Sequence, residues 1–179
     1  MKEIGLALVR ACQQGDREAW GHLLRLCREP VFRLAYRFTG HRDDAEDLTQ
    51  EICVKVFEQI GSFRGESSFA TWIYRLAVNT CLNFQRDAKP VASLESLDGL
   101  EDATSPETVW EQRELQRQIE TAIASLPSPL KTAFILVVME GMAYRDAAEV
   151  LHLSVEALRM RVSRARQILR EQLKRYLEG

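Results

Sequence analysis

Five arginines crowd the segment LRMRVSRARQILR, Leu158 to Arg170, in a chain whose formal net charge is −2. Guanidinium groups offer no nucleophile and no working acid or base. They hold phosphates and guanine edges through a rigid fork of N–H donors. At about 100° per residue, Val155, Leu158, Val162, Ala165, Leu169 and Leu173 fall on one stripe of a helix. Met160, Ser163, Arg164 and Gln167 lie opposite that stripe. Arg159, Arg166 and Arg170 share one flank, and Arg161 takes the other. One side can pack while the free side is edged with positive charge. Two uses fit this pattern: a nucleic-acid face, or a solvated basic helix resting on a partner or lipid surface.

The residues just before it favour nucleic acid. YRDAAEVL reads as a short helix, and Ala147 and Ala148 are small enough for a close helix crossing. Leu151, Leu153 and Val155 can pin the crossing, and Ser154 can cap the second helix. A short helix, a tight joint and a longer basic helix make a helix-turn-helix pattern, whose second helix enters the major groove. Its outward side chains read base edges while flanking arginines hold phosphates. The candidate duplex-binding residues are Arg159, Met160, Arg161, Ser163, Arg164 and Arg166.

A second constellation is SFRGESSFATWIYRLAVNTCLNFQRD, Ser62 to Asp87. Phe63, Phe69, Trp72, Tyr74 and Phe84 alternate with Arg64, Arg75 and Arg86, and Asn79 and Asn83 add amides. Aromatic faces stack on unpaired bases, arginines hold the backbone and amides read base edges. Aromatics at helical spacing also make ordinary core, and both readings stay open at this point.

These segments need elements to position them. Hydrophobic residues make up 46% of the chain, enough for a globular core, while Gly and Pro are sparse and sit between segments, which favours helices. Asp16 can cap a helix carrying Trp20, Leu23, Leu24, Leu26, Val31, Leu34 and Phe38, stopped at Thr39-Gly40. A second helix begins near Asp43-Asp44 and repeats Leu48, Ile52, Val56 and Ile60 at four-residue steps. Ser67 or Ser68 can cap a third through Trp72, Leu76, Cys81 and Phe84. Toward the C-terminus, one helix spans roughly 109–125, LPSP breaks it, and an apolar helix covers 129–140.

Charge divides the chain. Residues 1–87 are neutral in sum, residues 88–112 carry −5, and residues 113–179 carry +3. Two prolines, a glycine and several serines between Lys89 and Thr108 read as a flexible acidic linker. A basic module behind an acidic connector hints at nucleic acid. The expectation is therefore an all-α protein: a helical domain at 1–88, a linker at 89–112 and a helix-turn-helix domain at 113–179.

Other chemistry finds little support. Cys12, Cys27, Cys53 and Cys81 are widely spaced without a CxxC pair, and buried reduced thiols are the expectation. His22, His41 and His152 are isolated. No paired carboxylates, metal cluster or nucleophile constellation is visible, so we expect no enzyme and no cofactor. No apolar run reaches the roughly 18 residues that span a membrane, and we expect a cytoplasmic protein without a signal peptide or integral membrane segment.

In order along nearly the whole chain, GDREAW, DDAEDLTQEICVKVF, SFRGESSFATWIYRLAVNT, LPSPLKTAFILVVMEGMAYRDAAEVL and LRMRVSRAR resemble a bacterial sigma factor of the small, extracytoplasmic-function type. The resemblance implies an initiation subunit that binds core RNA polymerase and directs promoter-specific transcription. It places Asp44, Asp47, Gln50 and Glu51 on the clamp helices of the β′ subunit; the first-turn acids Asp43, Asp44 and Glu46 also suit the positive helix end. It implies that Phe63, Arg64, Trp72, Arg75, Asn79 and Asn83 open the −10 promoter element and capture a flipped base. It sends the acidic linker toward the RNA exit path, the segment near Leu126 to Val138 to the β flap, and the helix-turn-helix to the −35 element. It also implies control by an anti-sigma factor. Two positions depart from the family pattern. Glu156-Ala157 stand where Gly-Thr is usual, and Met160 replaces a small polar residue, which alters the expected base preference.

Overall fold

The structure, a computed structural model, describes the backbone of residues 4–87 and 106–177 and the side chains of 4–87 and 113–174. Among the described residues every regular element is helical. The linker expected at 89–112 lies outside them as far as residue 105, and its last residues, from Pro106, are helical.

The N-terminal half begins with α1 (Leu6–Gln13), which places Val9 and Cys12 in the core. The Asp16 carboxylate then accepts the N–H groups of Glu18 at 2.9 Å and Ala19 at 3.1 Å, and α2 (Arg17–Thr39) starts there. Such a cap satisfies donors the first helical turn leaves free, at about 1 kcal/mol. Gly40 ends α2 at φ 73°, donating its N–H to the Tyr36 carbonyl at 2.8 Å. A left-handed residue at this position is least strained as glycine. Pro30 sits inside α2 without breaking it. The next helix, α3 (Arg42–Gln59), follows at once with Asp43 and Asp44 in its first turn.

A short 3-10 turn, Ile60–Ser62, leads into the SFRG loop. Ser68 then caps α4 (Phe69–Asp87), its hydroxyl accepting the Thr71 N–H at 3.0 Å. Helices α2, α3 and α4 pack together around Leu23, Leu34, Ile52 and Ile73, all fully buried. Each such side chain contributes roughly 1.5–3 kcal/mol through removal from water.

The C-terminal half starts with α5 (Pro106–Ala124) and α6 (Ser128–Phe134), separated by Pro127. The apolar segment expected as one helix over 129–140 instead widens into a π-helical turn at Ile135–Met139. Then come α7 (Tyr144–Val150) and α8 (Val155–Leu177). Between them His152 adopts φ 52°; its N–H reaches the Glu149 carbonyl at 3.3 Å, and Leu153 N–H reaches Ala148 at 2.9 Å. These two bonds form a Schellman turn that closes α7. Ser154 caps α8 through the Ala157 N–H at 3.1 Å. Ala147, Ala148, Leu158 and Val162 are buried where α7 crosses α8, as the small-residue pattern required. Ala122, Ile123, Leu126, Ala165 and Leu169 form a smaller core between α5 and α8.

The two halves are in contact. Helix α4 packs on α7, and the larger apolar core runs from the N-terminal helices to Ala133, Ile135, Leu136 and Ala148.

Candidate nucleic-acid and polymerase interfaces

Helix α8 divides as its sequence divides. Leu158, Val162, Ala165 and Leu169 are buried, while Arg159, Met160, Ser163, Arg164 and Arg166 are exposed and Arg161 is half-buried. Met160 is 74% exposed on the free side of the helix. The Arg159 guanidinium lies 5.7 Å from the centre of the Tyr144 ring. That cation–π contact ties the first turn of α7 to α8 and orients one arginine of the face. Five of the six duplex-binding candidates are thus exposed on a capped, packed helix, and Arg161 lies half-buried on its other flank.

Helix α4 presents a second surface. Arg75, Asn79 and Asn83 follow at four-residue steps, with both amides exposed. Arg64 is exposed on the loop just before. Phe63 behaves differently. It is only 9% exposed, 5.0 Å from the Phe69 ring and 5.8 Å from the Trp72 ring, and Phe69 and Trp72 stack at 5.4 Å. The three rings form the floor beneath the loop, with half-buried Trp72 accessible at its edge. Gln13 pins the same loop by donating its amide to the carbonyls of Ile60 at 2.9 Å and Phe63 at 3.0 Å. Sequence reading gave Gln13 no role, because its partners lie far along the chain.

A third surface lies on α3. Asp47, Gln50 and Glu51 are exposed and Asp44 is half-buried. Glu51 pairs with Lys55 at 2.5 Å, and Lys55 also donates to the Thr80 hydroxyl at 3.2 Å. Beside these polar groups, Val54 is 54% and Phe57 63% exposed. The Phe57 ring meets Trp20 of α2 at 4.8 Å. Sequence reading missed this apolar edge. Its signal was present, since Val54 and Phe57 fall outside the Leu48, Ile52, Val56 repeat.

Where the halves meet, one acid is taken out of water. The Glu140 carboxylate accepts from Arg37 of α2 and, at 2.7 Å, from the Tyr74 hydroxyl of α4, and its side chain is 3% exposed. Burial pushes the Tyr74 phenol well above the usual tyrosine range, and the hydrogen bond to Glu140 and its charge add to this. Lys131 approaches the Phe38 carbonyl at 3.4 Å, and burial lowers its pKa. Arg75 pairs with Glu149 of α7 at 2.8 Å. A cleft of about 470 Å³ opens beside this pair, between the Ser62–Ser67 loop and His152.

The thiols are free. Cys12, Cys27 and Cys81 are buried and Cys53 is half-buried. Burial pushes Cys27 and Cys81 up to about 12. Thiols that resist ionisation are poor nucleophiles and poor metal ligands. Among the described residues no three His, Cys, Asp or Glu gather into a possible metal site, and no helix is long and apolar enough to cross a membrane.

Two family models match the chain: Sigma-70 region 2 over residues 23–91, and Sigma-70 region 4 over residues 116–169. The ECF RNA polymerase sigma-E factor of Haemophilus influenzae is 36% identical over 178 residues, covering 93% of this chain and 94% of that protein. The RNA polymerase sigma-H factor of Pseudomonas aeruginosa is 34% identical, with 90% of each chain covered. Among solved structures, the sigma factor RpoE in complex with the anti-sigma factor NepR from Bartonella quintana shares the fold at a TM-score of 0.67 and 24% identity, over 86% of this chain and 96% of that one.

Proposed function

Because this chain belongs to the extracytoplasmic-function sigma factors of bacterial RNA polymerase, we propose how its three surfaces divide the work of promoter-specific initiation. Residues 1–88 are the domain that docks on core polymerase and opens the −10 element. Of the linker expected at 89–112, residues 106–112 belong to α5, and residues 113–179 bind the −35 element as duplex.

The observation that carries this division is the geometry of α4 and α8. Helix α8 offers a packed stripe with arginines on its free side, which suits a major groove. Helix α4 offers amides at four-residue steps above a floor of three aromatic rings, which suits unpaired bases. A flipped base costs a few kcal/mol to unstack, and an aromatic edge with an amide hydrogen bond recovers part of it. Arg64, Trp72, Arg75, Asn79 and Asn83 are the residues that serve this surface. Phe63, being buried, acts by supporting Trp72 and the loop backbone.

The α3 surface is the polymerase contact. Asp47, Gln50 and Glu51, with Asp44 at the margin, supply charge and hydrogen bonds, and Val54 and Phe57 supply apolar area. The β′ clamp helices are the partner of this face, and the β flap meets the segment from Leu126 to Val138. Phosphoryl transfer belongs to the polymerase, and the chain needs no active site or cofactor of its own. We further propose cytoplasmic action under an anti-sigma factor. The support is the shared fold with a sigma factor that is held by one.

Footprinting tests the division. Polymerase holoenzyme formed with this chain should protect two promoter segments, and the chain alone should protect neither at the same concentration. Tight protection of one symmetric segment without polymerase would make the protein an ordinary helix-turn-helix regulator.

A further inference from the structure

We infer that Glu156 and Met160 set the base preference of α8: the carboxylate takes the amino group of a cytosine, and the thioether covers the methyl group of a thymine close by. The inference deepens the assignment of α8 to the −35 duplex and rests on it.

The free side of α8 has a midline and two edges. At about 100° per residue, Met160 and Gln167 lie within about 30° of the line opposite the buried stripe, and Glu156 and Arg164 within about 50° on either side of it. All four are exposed. Arg159, Arg166 and Arg170 line one edge, and half-buried Arg161 lies on the other. A helix laid in a major groove points its midline at the bases and its edges at the backbones. The edge arginines therefore meet phosphates, and selectivity falls to the midline. Its first residues count most, because a recognition helix touches base edges with its N-terminal turns. Glu156 stands in the first turn, and Met160 follows one turn later. Arg164, next in the row, suits a guanine edge or a phosphate. Gln167 is further along and bonds to Glu171 at 3.1 Å.

Glu156 is free to meet a base. Its neighbour at i+3, Arg159, could pair with it on the helix surface. Arg159 lies against the Tyr144 ring instead, 5.7 Å from its centre, and among the described residues nothing else engages the Glu156 carboxylate. An ionised carboxylate only accepts hydrogen bonds. In the major groove guanine shows two acceptors, thymine an acceptor beside its methyl group, and adenine an acceptor beside its amino group. Cytosine shows the amino group alone, so it is the base that Glu156 selects. The guanidinium groups on both edges offset the repulsion between Glu156 and the backbones. Met160 brings an apolar tip, and the one apolar group on the groove floor is the thymine methyl. Four residues of helix advance about 6 Å and base pairs about 3.4 Å, which sets the cytosine and the thymine one or two steps apart.

The test uses polymerase holoenzyme formed with the full chain, and a promoter whose −35 segment is randomised. Wild type should enrich a cytosine and a thymine one or two steps apart. Deoxyuridine in place of that thymine removes the methyl group and keeps the pairing. Wild-type binding should then fall about fourfold, the effect of one buried methyl group. Met160→Ala should bind less tightly and be indifferent to the replacement. Glu156→Gln should move the preference at the cytosine position to adenine, since an amide grips adenine N6 and N7 together. A merely structural role for Glu156 would leave the chosen base unchanged. An equal response to deoxyuridine in wild type and Met160→Ala, or an unchanged preference in Glu156→Gln, overturns the inference. A holoenzyme that enriches and protects no −35 sequence overturns the assignment of α8 along with it.

Discussion

Tyr74 and Glu140 stand 66 residues apart in sequence and share a 2.7 Å hydrogen bond across the contact between the two halves. The donor is a buried phenol and the acceptor a carboxylate with 3% exposure, so neither has water to fall back on. Tyr74→Phe keeps the ring and removes only the donor. Hydrogen bonds to charged groups contribute about 1.5–3 kcal/mol, and we expect a loss of that size in urea unfolding of the full chain. An unchanged midpoint would show that Arg37 alone satisfies Glu140.

The thiols make stability fall at alkaline pH. Cys27 and Cys81 are held up to about 12, against an ordinary value of 9.0. A raised pKa in the folded state means that unfolding releases protons above the ordinary value. The stability these buried thiols provide is complete below about pH 9 and declines as pH rises toward 12. Replacing both with Ser or Ala should flatten the slope of unfolding free energy against pH over that window. An equal slope in the variant would assign the alkaline loss to other groups.

His152 occupies the left-handed position that closes α7, at φ 52°. A side chain there costs roughly 1–2 kcal/mol relative to the right-handed region, and glycine escapes that strain. We expect His152→Gly to raise the thermal midpoint, with a net gain of under about 1 kcal/mol once the greater freedom of unfolded glycine is counted. A lower midpoint would mean that the imidazole makes a stabilising contact with its surroundings.

Much of the fold was legible because helix ends are local. Asp16, Gly40, Ser68 and Ser154 each sit at an end they were expected to make, and each makes it with its own side chain or φ. The stripe on α8 was legible for the same reason, since helical spacing needs only neighbours. Helix α1 was not anticipated, and no side chain caps its start at Gly5. The break at Ile135 was hidden because ILVVM is apolar throughout, and a run without polar positions has no period by which to tell an α-turn from a π-turn. Phe63 shows the limit for the site. The aromatic pattern left both stacking and core open, and the packing of Phe63 against Phe69 and Trp72 depends on the fold around the loop. The Glu140 cluster was beyond sequence reasoning, because its partners Arg37 and Tyr74 lie on other helices.

Asn79 is exposed on α4 one turn after Arg75, and its substitution should separate DNA opening from protein binding. Asn79→Ala should leave the affinity for core polymerase intact and reduce permanganate reactivity of unpaired promoter thymines severalfold. Equal reactivity in variant and wild type would move base capture to another residue.

The central claim is that this chain gives core RNA polymerase a promoter specificity. Multi-round transcription by purified core polymerase on fragments of the source genome, with and without the chain, tests it most directly. Discrete transcripts that appear only with the chain, and vanish with Asp47→Arg, which reverses charge on the proposed α3 docking face, are the expected result. Identical transcript patterns with and without the wild-type chain would contradict it.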